Sequence, residues 1–182
     1  MDRRVQRTRD TLHHALISLM IEKGFDAITI QDLLDRANVG RSTFYAHYTG
    51  KEDLLRAGLK ELRRDLEKAQ RAEVRHGLRF AFSLALFEHA GAHRDVYHAI
   101  VGRRGGIVVM GEIRGLLAEL VKNDLKGRNP GSSARELPRA AVVQFVVGAL
   151  MSLLTWWLEE KTGLSPVEVD ALFRRLTLPA LG

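Results

Sequence analysis

The residues best suited to chemistry lie close together in residues 29–51, and they are hydrogen-bond donors rather than catalytic groups. Residues 41–48 have the pattern of a short helix in which Phe44 and Tyr48, four residues apart, share one face. The rest of that helix carries a dense row of polar side chains: Arg41, Ser42, Thr43, Tyr45 and His47. A globular protein gains no stability from exposing such a row, so the row predicts a surface that binds a partner.

A second helix must come directly before this one to position it. Thr29 has the type and place of a helix cap, with Asp32 three residues later as its reciprocal partner. The apolar residues that follow would bury one side of the helix: Leu33, Leu34 and Ala37. Residues 38–40 (Asn-Val-Gly) then break it, because Asn and Gly accept the backbone angles of a tight turn. Two short helices joined in this way indicate a helix-turn-helix.

The same stretch resembles the DNA-binding segment of the TetR family of transcriptional regulators. The resemblance extends over roughly residues 5–55, and its strength lies in the combination of many positions. The matching residues are Gly24-Phe25, Thr29, Ala37-Asn38-Val39-Gly40, Ser42-Thr43-Phe44-Tyr45, His47-Tyr48 and Lys51-Glu52-Asp53-Leu54-Leu55. The sequence departs from the family at Ala46, where many relatives have a second aromatic residue, so one contact to the DNA backbone is expected to be missing.

The row of donors supports specific DNA contacts. Arg41, Thr43 and Tyr45 are expected to face the major groove, and the Arg41 guanidinium matches the O6 and N7 atoms of guanine. Gln31, near the start of the preceding helix, is expected to reach a base edge as well. Four further residues are expected to hold phosphates: Thr29, Ser42, His47 and Lys51.

The composition fits a soluble helical protein. A chain of 182 residues with 46% apolar residues can form one or two small domains with a real core, and only four prolines favour helices. The absence of cysteine excludes disulfides and thiolate metal sites and fits a reducing cytoplasm. The net charge of +6 suits a polyanionic partner. Residues 12–21 are interrupted by His13, His14 and Ser18, so they do not have the pattern of a signal peptide.

The N-terminal residues form either a solvated terminus or a basic arm. They carry Arg3, Arg4, Arg7 and Arg9, and beside a helix-turn-helix such an arm could reach phosphates or the minor groove. Residues 8–23 follow as the first helix, which Gly24 ends.

The remaining residues predict an all-α protein of about nine helices. Residues 1–50 would form the helix-turn-helix DNA-binding domain, and residues 51–182 a helical effector-binding and dimerisation domain. Residues 127–134 (Gly-Arg-Asn-Pro-Gly-Ser-Ser-Ala) are predicted to be a loop. The sequence of the second domain does not by itself indicate a family. The resemblance of the first domain implies that the second holds a small-molecule pocket and that the protein is a homodimer.

The last two helices are the predicted dimer interface. Residues 136–161 are apolar on nearly all sides, as expected of a helix buried in its own domain on one side and in a second subunit on the other. Their length approaches that of a membrane span, but flanking charges argue against that alternative. The predicted contacts are Val143, Val147, Leu150 and Leu154, with Val169, Leu172 and Phe173 of the last helix.

Aromatic and flexible apolar residues in the central helices predict a mostly apolar pocket for a hydrophobic or aromatic small molecule. The alternative is that they are ordinary core residues. The predicted lining is Phe80, Phe87, Tyr97, His98, Met110, Gln144, Phe145 and Trp156, with Trp157 beside it.

No catalytic motif, cofactor or metal site is predicted. The pair Glu88-His89 and the nearby His93 could serve acid-base chemistry, and four histidines could converge on a metal, but such residues are more often found at exposed helix ends. We therefore expect a homodimeric, ligand-responsive repressor that binds a palindromic DNA operator in the cytoplasm. The alternatives are an all-helical enzyme or small-molecule carrier that keeps the helix-turn-helix as scaffold, and a membrane-anchored protein.

Overall fold

The computed structural model describes residues 3–74, 78–101, 106–126, 137–160 and 162–181. Within these ranges the chain is all-α, as predicted, with nine α-helices and a terminal 3-10 turn. The helices are α1 (Arg3–Lys23), α2 (Ile30–Ala37), α3 (Arg41–Tyr45), α4 (Lys51–Val74), α5 (Phe82–Ala92), α6 (Arg94–Val101), α7 (Gly106–Lys126), α8 (Arg139–Glu159) and α9 (Pro166–Thr177). The predicted loop at residues 127–134 lies outside the described residues.

Several helix ends are formed by glycine residues and capping residues that can be recognised in the sequence. Gly24 and Gly163 have φ values of 77° and 69°, the left-handed conformation that glycine adopts without strain. Ser165 and Glu168 form a capping box before α9, whose first residue is a proline. The first helix begins at Arg3 rather than at the predicted residue 8, so the basic N-terminal residues belong to this helix.

The chain divides into two compact units, the first made of residues 1–62 and 95–112 and the second of residues 63–94 and 113–182. In unit 1, α1 packs on α2 and buries a layer of apolar side chains: Leu12, Leu16, Leu19, Met20, Leu33, Leu34 and Phe44. In unit 2, α9 packs against α5 and α8 around Leu86, Phe87, Val146, Leu150, Val169 and Phe173. The functional division predicted at residue 50 stays a prediction.

Candidate nucleic-acid interface

Helix α2 is anchored at its start by a capping box. The Asp32 amide donates to the Thr29 hydroxyl at 3.2 Å, and the Thr29 amide donates to the Asp32 carboxylate at 2.7 Å. Lys23 of α1 reaches the same carboxylate at 2.7 Å. The hydrogen bond from Lys23, with those from Thr29, holds the pKa of Asp32 well below its usual range. The helix therefore starts at a fixed place against α1.

The turn between α2 and α3 depends on Asn38. Its φ of 51° is left-handed, and its amide donates to the Asp35 carbonyl at 3.3 Å, which closes α2. Gly40 caps α3 with an extended φ of −68°, which any residue can adopt. The predicted need for unusual backbone angles is thus met by the asparagine alone.

Helix α3 separates its residues as the sequence predicted, with one exception. Phe44 is fully buried and its ring centroid lies 5.9 Å from that of Tyr48, which is also buried. On the opposite side the structure exposes the polar residues Arg41, Ser42, Thr43 and Tyr45. His47 is only half-buried, because α3 ends at Tyr45 and His47 lies in the turn that follows rather than on the helix.

Gln31 of α2 lies beside the recognition row. Its side-chain oxygen accepts a hydrogen bond from the Arg41 guanidinium at 2.9 Å, and its side-chain nitrogen donates to Asp35 at 2.8 Å. The sequence predicts Gln31 and Arg41 as separate base contacts, and the structure adds a hydrogen bond between them. All three side chains are exposed to solvent.

Lys51 has an internal use that the sequence did not reveal. Its ammonium donates to the carbonyls of Phe25, Asp26 and Ile28 at 3.0, 3.1 and 2.8 Å, and lies 4.9 Å from the centroid of the Phe25 ring. From the sequence, a cation at the start of α4 suggested an external phosphate. The structure instead gives that cation an internal partner, the carbonyl-rich loop between α1 and α2.

A small cavity of about 250 Å³ adjoins this region within unit 1. Its walls combine both signs of charge, with Arg9 and Lys60 against Asp10, Asp53 and Glu61. His13 lies in its wall against Gly58, and burial lowers the pKa of that imidazole. None of the residues predicted to line the effector pocket belongs to it.

The predicted dimer contacts lie inside the subunit. Val143, Val147, Leu150 and Leu154 of α8 are buried within the single chain, as are Val169 and Phe173 of α9, and Leu172 is half-buried. The exposed apolar side chains of these helices are different ones: Phe145, at 49% exposure, and Trp156, at 40%, on α8, with Val167 and Leu176 on α9. The sequence patterns identified α8 and α9 as apolar helices but did not distinguish the side of α8 that is buried in its own chain from the side that is exposed, and the dimer contacts stay a prediction.

The residues predicted to line the effector pocket are divided between the two units, and their common role stays a prediction. Phe80 and Phe87 are core residues of unit 2, where the Phe87 ring meets Trp157 edge-on at 6.1 Å. Gln144, Phe145 and Trp156 lie on the exposed side of α8 in the same unit. The other three belong to unit 1, where Tyr97 is buried, Met110 half-buried and His98 exposed.

Unit 2 also contains a buried polar network that sequence inspection missed. Arg174 donates to Asp170 at 2.7 Å and to the Arg79 carbonyl at 2.7 Å, while the Asp124 carboxylate accepts from the Phe80 amide at 3.3 Å. These bonds hold the turn before α5, where Phe80 has a left-handed φ of 53°. The four-residue spacing of Asp170 and Arg174 is the one feature of the sequence that indicates this ion pair.

The histidines do not form a metal site among the described residues, in which no group of three or more metal-ligating side chains occurs. His89 and His93 stack with ring centroids 4.3 Å apart in unit 2, whereas His98 belongs to unit 1. Burial, and then the neighbouring His93, lowers the pKa of His89 to about 4. His76, the fourth candidate, lies outside the described residues.

Helix α8 is long and apolar enough to cross a membrane, by length and composition alone. The buried residues of α8 face α5 and α9. A helix in the core of a soluble domain can have the same length and apolar composition as a membrane span. The membrane alternative is therefore not supported.

An anchored helix-turn-helix with an exposed polar second helix defines the class of helix-turn-helix DNA-binding proteins. The comparisons with known proteins identify the family. The model of the bacterial regulatory proteins of the tetR family matches residues 12–57, and a model described as a transcriptional regulator C-terminal region matches residues 80–178, more than half of the chain. The chain belongs to the TetR family of transcriptional regulators, and its C-terminal region is included in this assignment.

Individual relatives agree with this assignment. An uncharacterized HTH-type transcriptional regulator of Bacillus subtilis, YxbF, is 46% identical over 56 residues, which are 30% of this chain but only 15% of that protein. The TetR transcriptional regulator of Streptococcus agalactiae is 26% identical, with a TM-score of 0.69 over 97% of this chain and 96% of that one. Thermus thermophilus FadR, a TetR-family repressor solved with lauroyl-CoA, shares the fold at 20% identity, with a TM-score of 0.64 over 93% of each chain.

Proposed function

We propose that this protein is a ligand-responsive transcriptional repressor of the cytoplasm that binds a palindromic DNA operator as a homodimer. Residues 1–50 would bind DNA, and residues 51–182 would dimerise and hold the effector. The observation that carries the proposal is the exposed row Arg41, Ser42, Thr43 and Tyr45, which stands opposite the buried Phe44. An enzyme or carrier that kept this segment as scaffold would have no use for the row.

The contacts to DNA divide into base and phosphate contacts. Arg41 would read a guanine in the major groove, with Thr43 and Tyr45 against neighbouring base edges. Thr29, Ser42 and His47 would hold phosphates and so fix the register of the helix. Lys51 is left out of this set, because its ammonium is shared among three carbonyls of its own chain.

The dimer would form through the exposed apolar side of α8 together with α9. Phe145 and Trp156 face solvent in the single chain, while Gly148 between them has open space around its Cα, so a second helix could approach closely. Trp156→Glu should then give a folded monomer, with helical content unchanged by circular dichroism and half the mass by light scattering. A wild-type protein with the mass of one chain at micromolar concentration would contradict the dimer.

The effector would be a hydrophobic or aromatic small molecule. Support comes from FadR of Thermus thermophilus, which has this fold and was solved with lauroyl-CoA. The effector would act by population shift, favouring a dimer whose recognition helices no longer match successive major grooves. A thermal-shift screen in which only sugars, nucleotides or other strongly polar compounds stabilise the protein would contradict an apolar effector.

Selection of bound fragments from a random pool of duplex DNA tests the proposal as a whole. We expect enrichment of an inverted repeat whose half-sites are separated by about one helical turn or a multiple of it. Recovery of fragments without any common sequence would contradict sequence-specific regulation and favour the scaffold alternative.

A further inference from the structure

Three exposed side chains of unit 1 form a hydrogen-bonded chain that ends at the recognition helix. Asp35 accepts from the Gln31 side-chain nitrogen at 2.8 Å, and the Gln31 oxygen accepts from the Arg41 guanidinium at 2.9 Å. Gln31 and Asp35 are one helical turn apart on α2, whereas Arg41 begins α3. This series of hydrogen bonds therefore crosses the turn of the helix-turn-helix.

The chemistry of the three groups permits only one orientation of the amide. A carboxylate only accepts hydrogen bonds and a guanidinium only donates them. The Gln31 nitrogen must therefore face Asp35 and the Gln31 oxygen must face Arg41, since a flipped amide would set donor against donor and acceptor against acceptor. Asp35 thus determines which end of Gln31 is offered to the arginine.

Gln31 and Asp35, the two members of this hydrogen-bonded series on α2, lie on a helix that is fixed against α1. The Asp32 carboxylate joins Thr29 and Lys23 at the start of the helix, and Arg36 pairs with Glu22 of α1. Gln31 and Asp35 lie between these anchors. A guanidinium tethered to Gln31 is consequently held in relation to the whole α1–α2 pair and not only to its own short helix.

We propose that Asp35 and Gln31 are positioning residues that preset the Arg41 guanidinium for base recognition. The inference rests on the proposed function, and it changes the role of Gln31 from an independent base contact to a support for Arg41. An arginine side chain loses considerable rotamer freedom when it binds a base, and a tether in the free protein removes part of that loss beforehand. Sequence preference at the base that Arg41 reads therefore depends on two residues that need not touch it.

The test uses the full-length protein, the operator recovered from the random pool, and four variants. Gln31→Ala removes the link and Asp35→Ala removes its support. Asp35→Asn keeps an oxygen that can accept from Gln31. Gln6→Ala is the matched control, because Gln6 donates to Asp10 at 2.8 Å with the same four-residue spacing on α1 but has no recognition arginine as neighbour.

Discrimination at the Arg41-dependent base pair should fall by about threefold to tenfold in Gln31→Ala, as expected for the ordering of one flexible side chain. Asp35→Ala should show a smaller loss in the same direction, Asp35→Asn should recover most of it, and Gln6→Ala should match the wild type. In the Arg41→Ala background, Gln31→Ala should cause no further loss, because the two residues act as one unit.

A measurement on the protein without DNA tests the positioning role of Gln31 and Asp35 separately from the proposed function. Nitrogen-15 relaxation of the Arg41 side chain should report greater mobility in Gln31→Ala and Asp35→Ala than in the wild type or Gln6→Ala. Unchanged mobility, or a Gln31→Ala effect that persists fully in the Arg41→Ala background, would overturn the positioning role alone and return Gln31 to direct base contact. A wild-type protein that selects no DNA sequence would contradict the proposed function itself.

Discussion

The α2–α3 segment and helix α8 both expose conspicuous side chains, but of opposite kinds. On α3 the buried side holds Phe44 and the exposed side holds Arg41, Thr43 and Tyr45, so polarity separates the two sides. On α8 large apolar side chains occur on both sides, with Leu150 buried and Phe145 exposed. The comparison shows that periodicity identifies the solvent-facing side only where that side is polar.

The difference has a functional counterpart. A polar exposed row suits hydrated phosphates and base edges, whereas an apolar exposed stripe suits a surface that is itself apolar. We therefore associate the first with DNA and the second with another copy of the chain.

Leu150 and Phe145 lie on opposite sides of α8 and should respond differently to truncation. Leu150→Ala should lower the free energy of unfolding by about 2–5 kcal/mol, because it opens a cavity in a fully buried position. Phe145→Ala, at a half-exposed position, should affect association of subunits more than the stability of the fold. Urea denaturation at several protein concentrations measures both, since only loss of association depends on concentration. Equal effects of the two variants would contradict the assigned sides.

Lys51 tests whether a cation near the recognition helix serves the fold or the DNA. Lys51→Met keeps the aliphatic stem but removes the donor to three carbonyls, so it should lower the free energy of unfolding by about 1–3 kcal/mol. Lys60→Met, at an exposed position on α4, serves as the control. A loss of DNA affinity with unchanged stability would return Lys51 to the phosphate contacts predicted from the sequence.

His89 should make unit 2 sensitive to acid. Burial lowers the pKa of its imidazole from 6.5 to about 4, so between these values the unfolded chain binds a proton that the folded chain does not. Stability should therefore fall as the pH decreases through this window, and His89→Gln should make the decrease shallower. Thermal unfolding followed from pH 7 to pH 4 measures the slope. His14→Gln, at an exposed position on α1, is the comparison, and an equal flattening there would contradict the assignment.

Sequence patterns were sufficient for the helix-turn-helix because its information is local. The Thr29 cap, the left-handed Asn38 and the buried Phe44 each follow from a residue type at a fixed spacing. The apolar character of α8 was equally visible, and the family assignment of the C-terminal region came from the comparisons rather than from any short motif.

The features that sequence patterns could not supply depend on contacts distant along the chain. Lys51 meets carbonyls more than twenty residues away, and Arg41 meets Gln31 across a turn. The Arg174 network joins α9 to the turn before α5 over more than ninety residues. The aromatic residues predicted to line an effector pocket likewise belong to two different units of the chain, and composition says nothing about which helix sides face each other.

If the exposed row of α3 reads DNA sequence, Arg41→Ala should weaken the preference of the protein for its operator. Binding to the selected operator and to single-base variants should be measured by titration at fixed salt, because phosphate contacts make affinity salt-dependent. We expect preference to relax at one base pair of each half-site by about 1–3 kcal/mol, with the other positions unchanged. Affinity and preference that both equal those of the wild type would contradict the assignment of α3 as the recognition helix.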